Sequence, residues 1–206
     1  MNNNSATSRN IASTIWQLIR FDFQLLWLIL TRPQITLQYP RLSEYFHRYR
    51  IFRNFILPMS IITALVNLIG AFFSIGKINI EGAVINSVFI FISFILTFYA
   101  LYIIIKWIAT NAFNPDTPRW NIEATVAATM SVAFAVKIIL SIVPDMFFVQ
   151  FFYVYTFYIV WVTSDSLIPI PEQQKNRFMI IITLICLITP WIIDRLMRLM
   201  VPNIQC

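Results

Sequence analysis

Glycine is scarce in this chain, with three in 206 residues. Cysteine occurs twice, as Cys186 and Cys206, and histidine once, as His47. Charged residues make up 12% of the sequence, against about a quarter in a soluble domain. Each shortage excludes a class of protein. Low charge excludes a cytosolic enzyme, and two cysteines outside any CxxC pair build no disulfide framework and say nothing about redox compartment. His47, set in a basic aromatic stretch, offers neither an HExxH zinc site nor the base of a Ser-His-Asp triad. The segment from Gly70 to Gly76-Lys77 has one residue too many for a phosphate loop, and Ile78 stands where Ser or Thr would hold magnesium. The expectation is a protein that is not an enzyme and uses no cofactor or metal.

What the chain has in abundance is apolar length: 59% of residues are hydrophobic and the mean hydropathy is +0.73. A helix crossing a hydrocarbon core of roughly 30 Å needs about 20 apolar residues. Such windows lie at 54–75, 84–105, 122–143 and 147–168, with a shorter one at 178–193 that spans only if the bilayer thins or Leu196 to Val201 extend it with Arg195 and Arg198 snorkelling. Turn residues separate them: Gly76-Lys77 with Gly82, Asn114 to Pro118, Pro144-Asp145, and Pro169 to Glu172. The expected fold is all-α, a polytopic integral membrane protein with five transmembrane helices in residues 54–206.

Residues 1–53 read as a cytosolic N-terminal segment rather than a signal peptide, because Arg20 and Asp22 interrupt the apolar stretch after Ile11. Ile15, Trp16, Ile19, Phe23, Trp27 and Leu30 recur on one side at helical spacing, with Ser13, Gln17, Arg20 and Gln24 opposite. That is the pattern of an amphipathic helix lying in the interface, ended by Arg32-Pro33. The alternative, a sixth crossing over residues 15–31, would carry both Arg20 and Asp22 through the membrane at roughly 2.5 to 3.5 kcal/mol each.

Lys and Arg set the orientation. Five crossings put Arg9, Arg20, Arg32, Arg41, Arg48, Arg50, Arg53, Lys106, Arg119, Lys175 and Arg177 on one side. Only Lys77, Arg195 and Arg198 fall on the other, so the N-terminus is expected in the cytosol and the C-terminus outside. Arg41, Arg48, Arg50 and Arg53, interleaved with Tyr45, Phe46, Tyr49 and Phe52, form a candidate interaction face with Arg119, Lys175 and Arg177. Next to a membrane this pattern points to an anionic leaflet, at about 1 kcal/mol per cation, or to a membrane or cytosolic protein partner, and not to nucleic acid.

Four polar residues stand out inside or at the ends of the apolar runs: Asn67, Lys106, Lys137 and Asp165. Lys137, about six residues from the outer end of the third crossing, must snorkel or find an acid. Antiparallel geometry pairs it with Asp194 or Asp145, and pairs Lys106 with Asp165. Asn67 reads as interhelical glue. Ala124, Ala127, Ala128, Ser131 and Ala135 make a small-residue face that admits a close neighbour. The fourth crossing carries nine aromatics between Phe147 and Trp161, expected to fill the bundle and face lipid.

From the third crossing onward the order of features is characteristic. Leu140-Ser141-Ile142-Val143-Pro144 closes a helix rich in Ala and Ser, and Tyr153-Val154-Tyr155-Thr156-Phe157-Tyr158-Ile159-Val160-Trp161 follows. Ile168-Pro169-Ile170-Pro171-Glu172-Gln173-Gln174-Lys175-Asn176-Arg177 then leads into a final apolar helix. Upstream stand Leu28-Ile29-Leu30-Thr31-Arg32-Pro33 and Phe55-Ile56-Leu57-Pro58. The chain from about residue 15 resembles the Yip family, the Ypt-interacting membrane proteins, in its bacterial version. The resemblance implies five crossings with a cytosolic N-terminus. Eukaryotic members bind prenylated Rab-type GTPases, but this chain lacks their long N-terminal region and Gly-rich DLxGP-like motif. What remains implied is a bacterial inner-membrane protein; the basic aromatic face adds the expectation of a membrane-organising or protein-interaction platform. The rival expectation is a small transporter or channel working as a homo-oligomer, with Lys106, Lys137 and Asp165 as its residues.

Overall fold

The computed structural model describes residues 20–38, 51–74, 80–113, 117–168 and 170–200. Among them all regular structure is helical. Five helices are long and apolar enough to cross a membrane: Phe52–Ala71, Ile80–Phe113, Arg119–Ile142, Phe147–Ser166 and Glu172–Leu199. The protein is an all-α, multi-pass membrane protein, and these are its first to fifth spans.

Two spans outrun the expected windows. The second has 34 residues, about 50 Å of helix, and closes in a π turn over Ala109–Phe113. The fifth does not stop at Asp194, because its terminal charges are satisfied on the helix itself. Arg198 Nε donates to Asp194 Oδ2 at 3.0 Å, one turn away, and the Arg195 guanidinium lies 5.6 Å over the Trp191 ring. The helix therefore runs unbroken from Glu172 to Met200, with Pro190 inside it.

Successive spans run in opposite directions. One end of the bundle, here the basic end, holds Arg53, Lys106, Arg119, Lys175 and Arg177; the far end holds the turn at Asp145 and the last turns of the fifth span. Near the far end Asn86 Nδ2 donates to Asn67 Oδ1 at 3.0 Å, joining the second span to the first. Near the basic end the Asn121 amide donates to the Leu167 carbonyl, joining the third to the segment after the fourth.

The third span is the axis. Of its apolar stretch 67% is buried, against at most 39% in the other four. Ala124, Ala127, Ala128 and Ser131 are buried as the small-residue spacing anticipates, while Ala135 is half-buried. Burial also extends round the helix through Ile122, Val126, Met130, Val132, Phe134 and Val136, as befits a helix apolar on all sides. Its hydroxyls are satisfied locally: Thr125 donates to the Asn121 carbonyl at 2.9 Å, Thr129 to Val126 at 2.8 Å and Ser131 to Ala127 at 2.9 Å. Where no water can reach, such bonds to the preceding turn keep a polar side chain inexpensive. Rings fill the remaining space, with Phe134 stacked 4.5 Å from Phe94 and edge-on 6.4 Å from Phe55.

The N-terminal segment contributes a helix over residues 20–31 and a short one, Pro33–Gln38. The side it turns to the bundle is not the one that carries Phe23 and Trp27, which is left free for the interface. Asp22, Leu25, Leu26 and Ile29 are buried, whereas Phe23 is 40% and Trp27 68% exposed. The helix is apolar nearly all round, with Arg20, Gln24 and Thr31 as its polar stripe, so two apolar sides compete. The side carrying three aliphatic residues is the one that packs. The Tyr155 hydroxyl donates to the Leu30 carbonyl at 2.7 Å, docking this helix onto the fourth span. Ile15, Trp16 and Ile19, on the expected apolar side, lie outside the described residues.

A polar chamber between four spans as the candidate functional site

Between the second, third, fourth and fifth spans lies a chamber of about 670 Å³, within the usual range of about 300 to 1,000 Å³ for ligand cavities. Its rim, near the far end, carries the exposed Gln150 and the Asp194–Arg198 pair. Its floor is made of Leu101, Thr129, Met130 and Thr156, all buried. From Arg198 down to Cys186, also on the wall, is about 18 Å along the fifth helix, so the chamber reaches the middle of the fifth span.

Local winding explains how an aromatic segment gives polar groups to this wall. Phe147–Val154 is a 3-10 helix, with three residues per turn, so side chains three apart stack one above another. Gln150 and Tyr153 line the chamber on that register, and Thr156 follows at the junction with the α-helical half, Tyr155–Ser166. The same winding turns Phe148, Phe151 and Phe152 outward, between 53% and 72% exposed. On the opposite wall Pro190, lacking an N–H, gives the Cys186 carbonyl no helix donor, and both residues line the chamber.

Lys137 stands on the third span's wall. Its backbone is fixed by a relay through three spans. Asn86 donates to Asn67, the Asn67 amide donates to the Ser141 hydroxyl at 3.1 Å, and that hydroxyl donates to the Lys137 carbonyl at 2.8 Å. The expected ion pair does not form. Among the described residues no carboxylate lies within 4.0 Å of the Lys137 ammonium. Asp194 shares the chamber but takes Arg198, which sits one turn away on its own helix and needs no reach across the bundle. Asp145 is exposed in the far-end turn.

The second expected pair is also replaced. Asp165 accepts from Lys175 and from Trp161 Nε1, the latter at 3.1 Å. Asp165 and Lys175 flank the short connection between the fourth and fifth spans, so the loop itself brings them together. Lys106 instead lies 5.9 Å over the Tyr102 ring, and Arg119 is 5.6 Å from the same ring. Tyr102 thus serves two cations through its face, a weak attraction at an exposed site.

Of the expected interaction face, Arg53, Arg119 and Arg177 are exposed at the basic end. Arg53 Nε donates to Asn54 at 3.4 Å, and Arg119 pairs with Glu123 at 2.8 Å. Arg41, Arg48 and Arg50 lie outside the described residues.

The chamber sets Lys137 together with Asp194, its expected neighbour, and with residues that sequence reasoning passed over: Asn86, Gln150, Tyr153 and Arg198. The available signals were a glutamine inside an aromatic run and a proline inside an apolar one. Chemically, Lys137 and Arg198 against Asp194 leave an excess of positive charge, with amides and hydroxyls beside it. Among the described residues no three His, Cys, Asp or Glu side chains converge on a point where a metal could be held. Such a set can bind and orient an anion. Comparison with protein-family models, with curated proteins and with solved structures finds no match for this chain.

Proposed function

We propose that the chain is a Yip-like, non-enzymatic protein of a bacterial inner membrane, with its basic end in the cytosol, serving as a membrane-organising or protein-interaction platform. The observation that supports this reading is the polarity of the bundle. Arg53, Lys106, Arg119, Lys175 and Arg177 lie at one end, whereas among the described residues only Arg195 and Arg198 lie at the far end. Cations concentrated on one side are the signature of a cytosolic face. They also attract an anionic leaflet or an acidic partner.

The test is tethering. Protein reconstituted in nanodiscs with the basic end accessible is mixed with liposomes that contain or lack anionic lipid. Binding to the anionic liposomes only, weakened by salt and by Arg119→Glu with Arg177→Glu, is the expected result. Equal binding to both liposome types, or none, contradicts it. The chamber favours a second reading, a small transporter; saturable proton or ion flux in proteoliposomes that Lys137→Met abolishes would put that reading first.

A further inference from the structure

The platform reading leaves the chamber and Lys137 unused. A cation half-buried at membrane depth, with no carboxylate within 4.0 Å among the described residues, is costly unless a counter-charge reaches it. The chamber is built to admit one. Beside Lys137 its upper part carries Arg198, Gln150 and Tyr153, all hydrogen-bond donors, while Phe94, Leu140 and Leu187 make other parts of the wall apolar. The helices also draw apart on one side. The fifth span packs along the second span and along the α-helical half of the fourth, but hardly touches the 3-10 half, Phe147–Val154. Gln150 and Tyr153 border this gap on one side, Trp191 and Asp194 on the other. A gap between two spans faces lipid, so what enters there has a hydrocarbon part.

We propose that the chamber binds an anionic amphiphile, with its acidic head group between Lys137 and Arg198 and its hydrocarbon chain leaving sideways between the fourth and fifth spans. Charge complementarity selects the head group, since Lys137 and Arg198 outnumber Asp194. The lateral gap selects a chain-bearing molecule over a free anion. A buried ammonium that gains a phosphate or carboxylate trades its unpaired state for a charge-assisted hydrogen bond, the strong kind in a low dielectric. Choline-bearing lipid of the same chain length brings a bulky cation to the same place and is rejected.

The experiment uses the full chain in a neutral detergent and measures binding of lysophosphatidic acid carrying a doxyl quencher on its chain, read through tryptophan fluorescence. Lysophosphatidylcholine with the same chain and inorganic phosphate alone are the comparison probes. The expected result is saturable quenching by the acidic lipid, weakened about tenfold in Lys137→Gln, largely restored in Lys137→Arg and unchanged in Lys106→Gln, which lies outside the chamber. Arg198 is exposed on the rim, so Arg198→Gln tests the same contact without disturbing the core should Lys137→Gln fail to fold; it too weakens binding. Equal binding of the choline lipid, or acidic-lipid affinity unchanged in folded Lys137→Gln and Arg198→Gln proteins, overturns the proposal. Displacement of the acidic lipid by inorganic phosphate at comparable concentration overturns the amphiphile and leaves a soluble-anion site.

Discussion

The Asn67 amide donates to the Ser141 hydroxyl at 3.1 Å although the two residues are 74 positions apart. With Asn86 behind Asn67 and the Lys137 carbonyl behind Ser141, this bond fastens three spans at the level of the chamber rim. It is possible because the first and third helices nearly touch one turn further on, at Gly70. A Cβ on that glycine would run into the Ser141 carbonyl oxygen. A scarce residue is thus spent where two backbones must approach, the usual reason for glycine at a helix crossing.

Gly70→Ala should therefore cost at least as much as ordinary overpacking, about 1 to 3 kcal/mol, since backbone cannot swing aside as a side chain can. Unfolding in detergent measures it. A variant as stable as wild type would mean that the helices are not in contact at Gly70.

Asp22 gives the N-terminal helix a pH dependence. It is 1% exposed and Oδ2 has no hydrogen-bond partner among the described residues, and burial pushes its carboxyl from 3.8 up to about 7. Because the folded value lies above the unfolded one, the protonated carboxyl favours the fold. That stability is fully present below pH 4 and is lost as pH rises towards and through about 7. Asp22→Asn should melt close to wild type at pH 4 and clearly higher at pH 8. Parallel melting points across that range would show that Asp22 is not buried.

The connection between the fourth and fifth spans should couple Asp165 to Lys175 and not to Lys106. Both side chains of the pair are partly exposed, 38% and 26%, so the coupling is about 0.5 to 1 kcal/mol at low salt. A double-mutant cycle of Asp165→Asn with Lys175→Met reads it, and the cycle with Lys106→Met should return nothing. The reverse outcome would restore the pairing that the sequence alone favours.

The five spans were legible because about 20 apolar residues in a row have few alternatives. The small stripe on the third helix also pointed correctly to close packing, although it showed only one side of a helix buried on nearly all. The chamber was not legible. Winding at three residues per turn stacks Gln150 and Tyr153 directly and carries the line on to Thr156, whereas α-helical spacing would turn Thr156 about 120° away from Gln150. Ion-pair partners were misjudged by weighing helix depth above sequence proximity: Asp194 found Arg198 four residues on, and Asp165 found Lys175 across a short loop. The N-terminal helix showed its exposed aromatic side, Phe23 and Trp27, in the sequence, but not the second apolar side, Leu25, Leu26 and Ile29, that packs on the bundle.

The polarity of the five-span bundle is what the functional account rests on, and cysteine accessibility tests it directly. In a Cys186→Ala, Cys206→Ser background, single cysteines are placed at Asp145 and at Gln173, both exposed and on opposite ends of the fourth span. A membrane-impermeant maleimide is applied to intact spheroplasts and to opened membranes. The account predicts that Asp145→Cys is labelled in both and Gln173→Cys only after opening. Labelling of Gln173→Cys in intact spheroplasts, with Asp145→Cys protected, would put the basic end outside and contradict it.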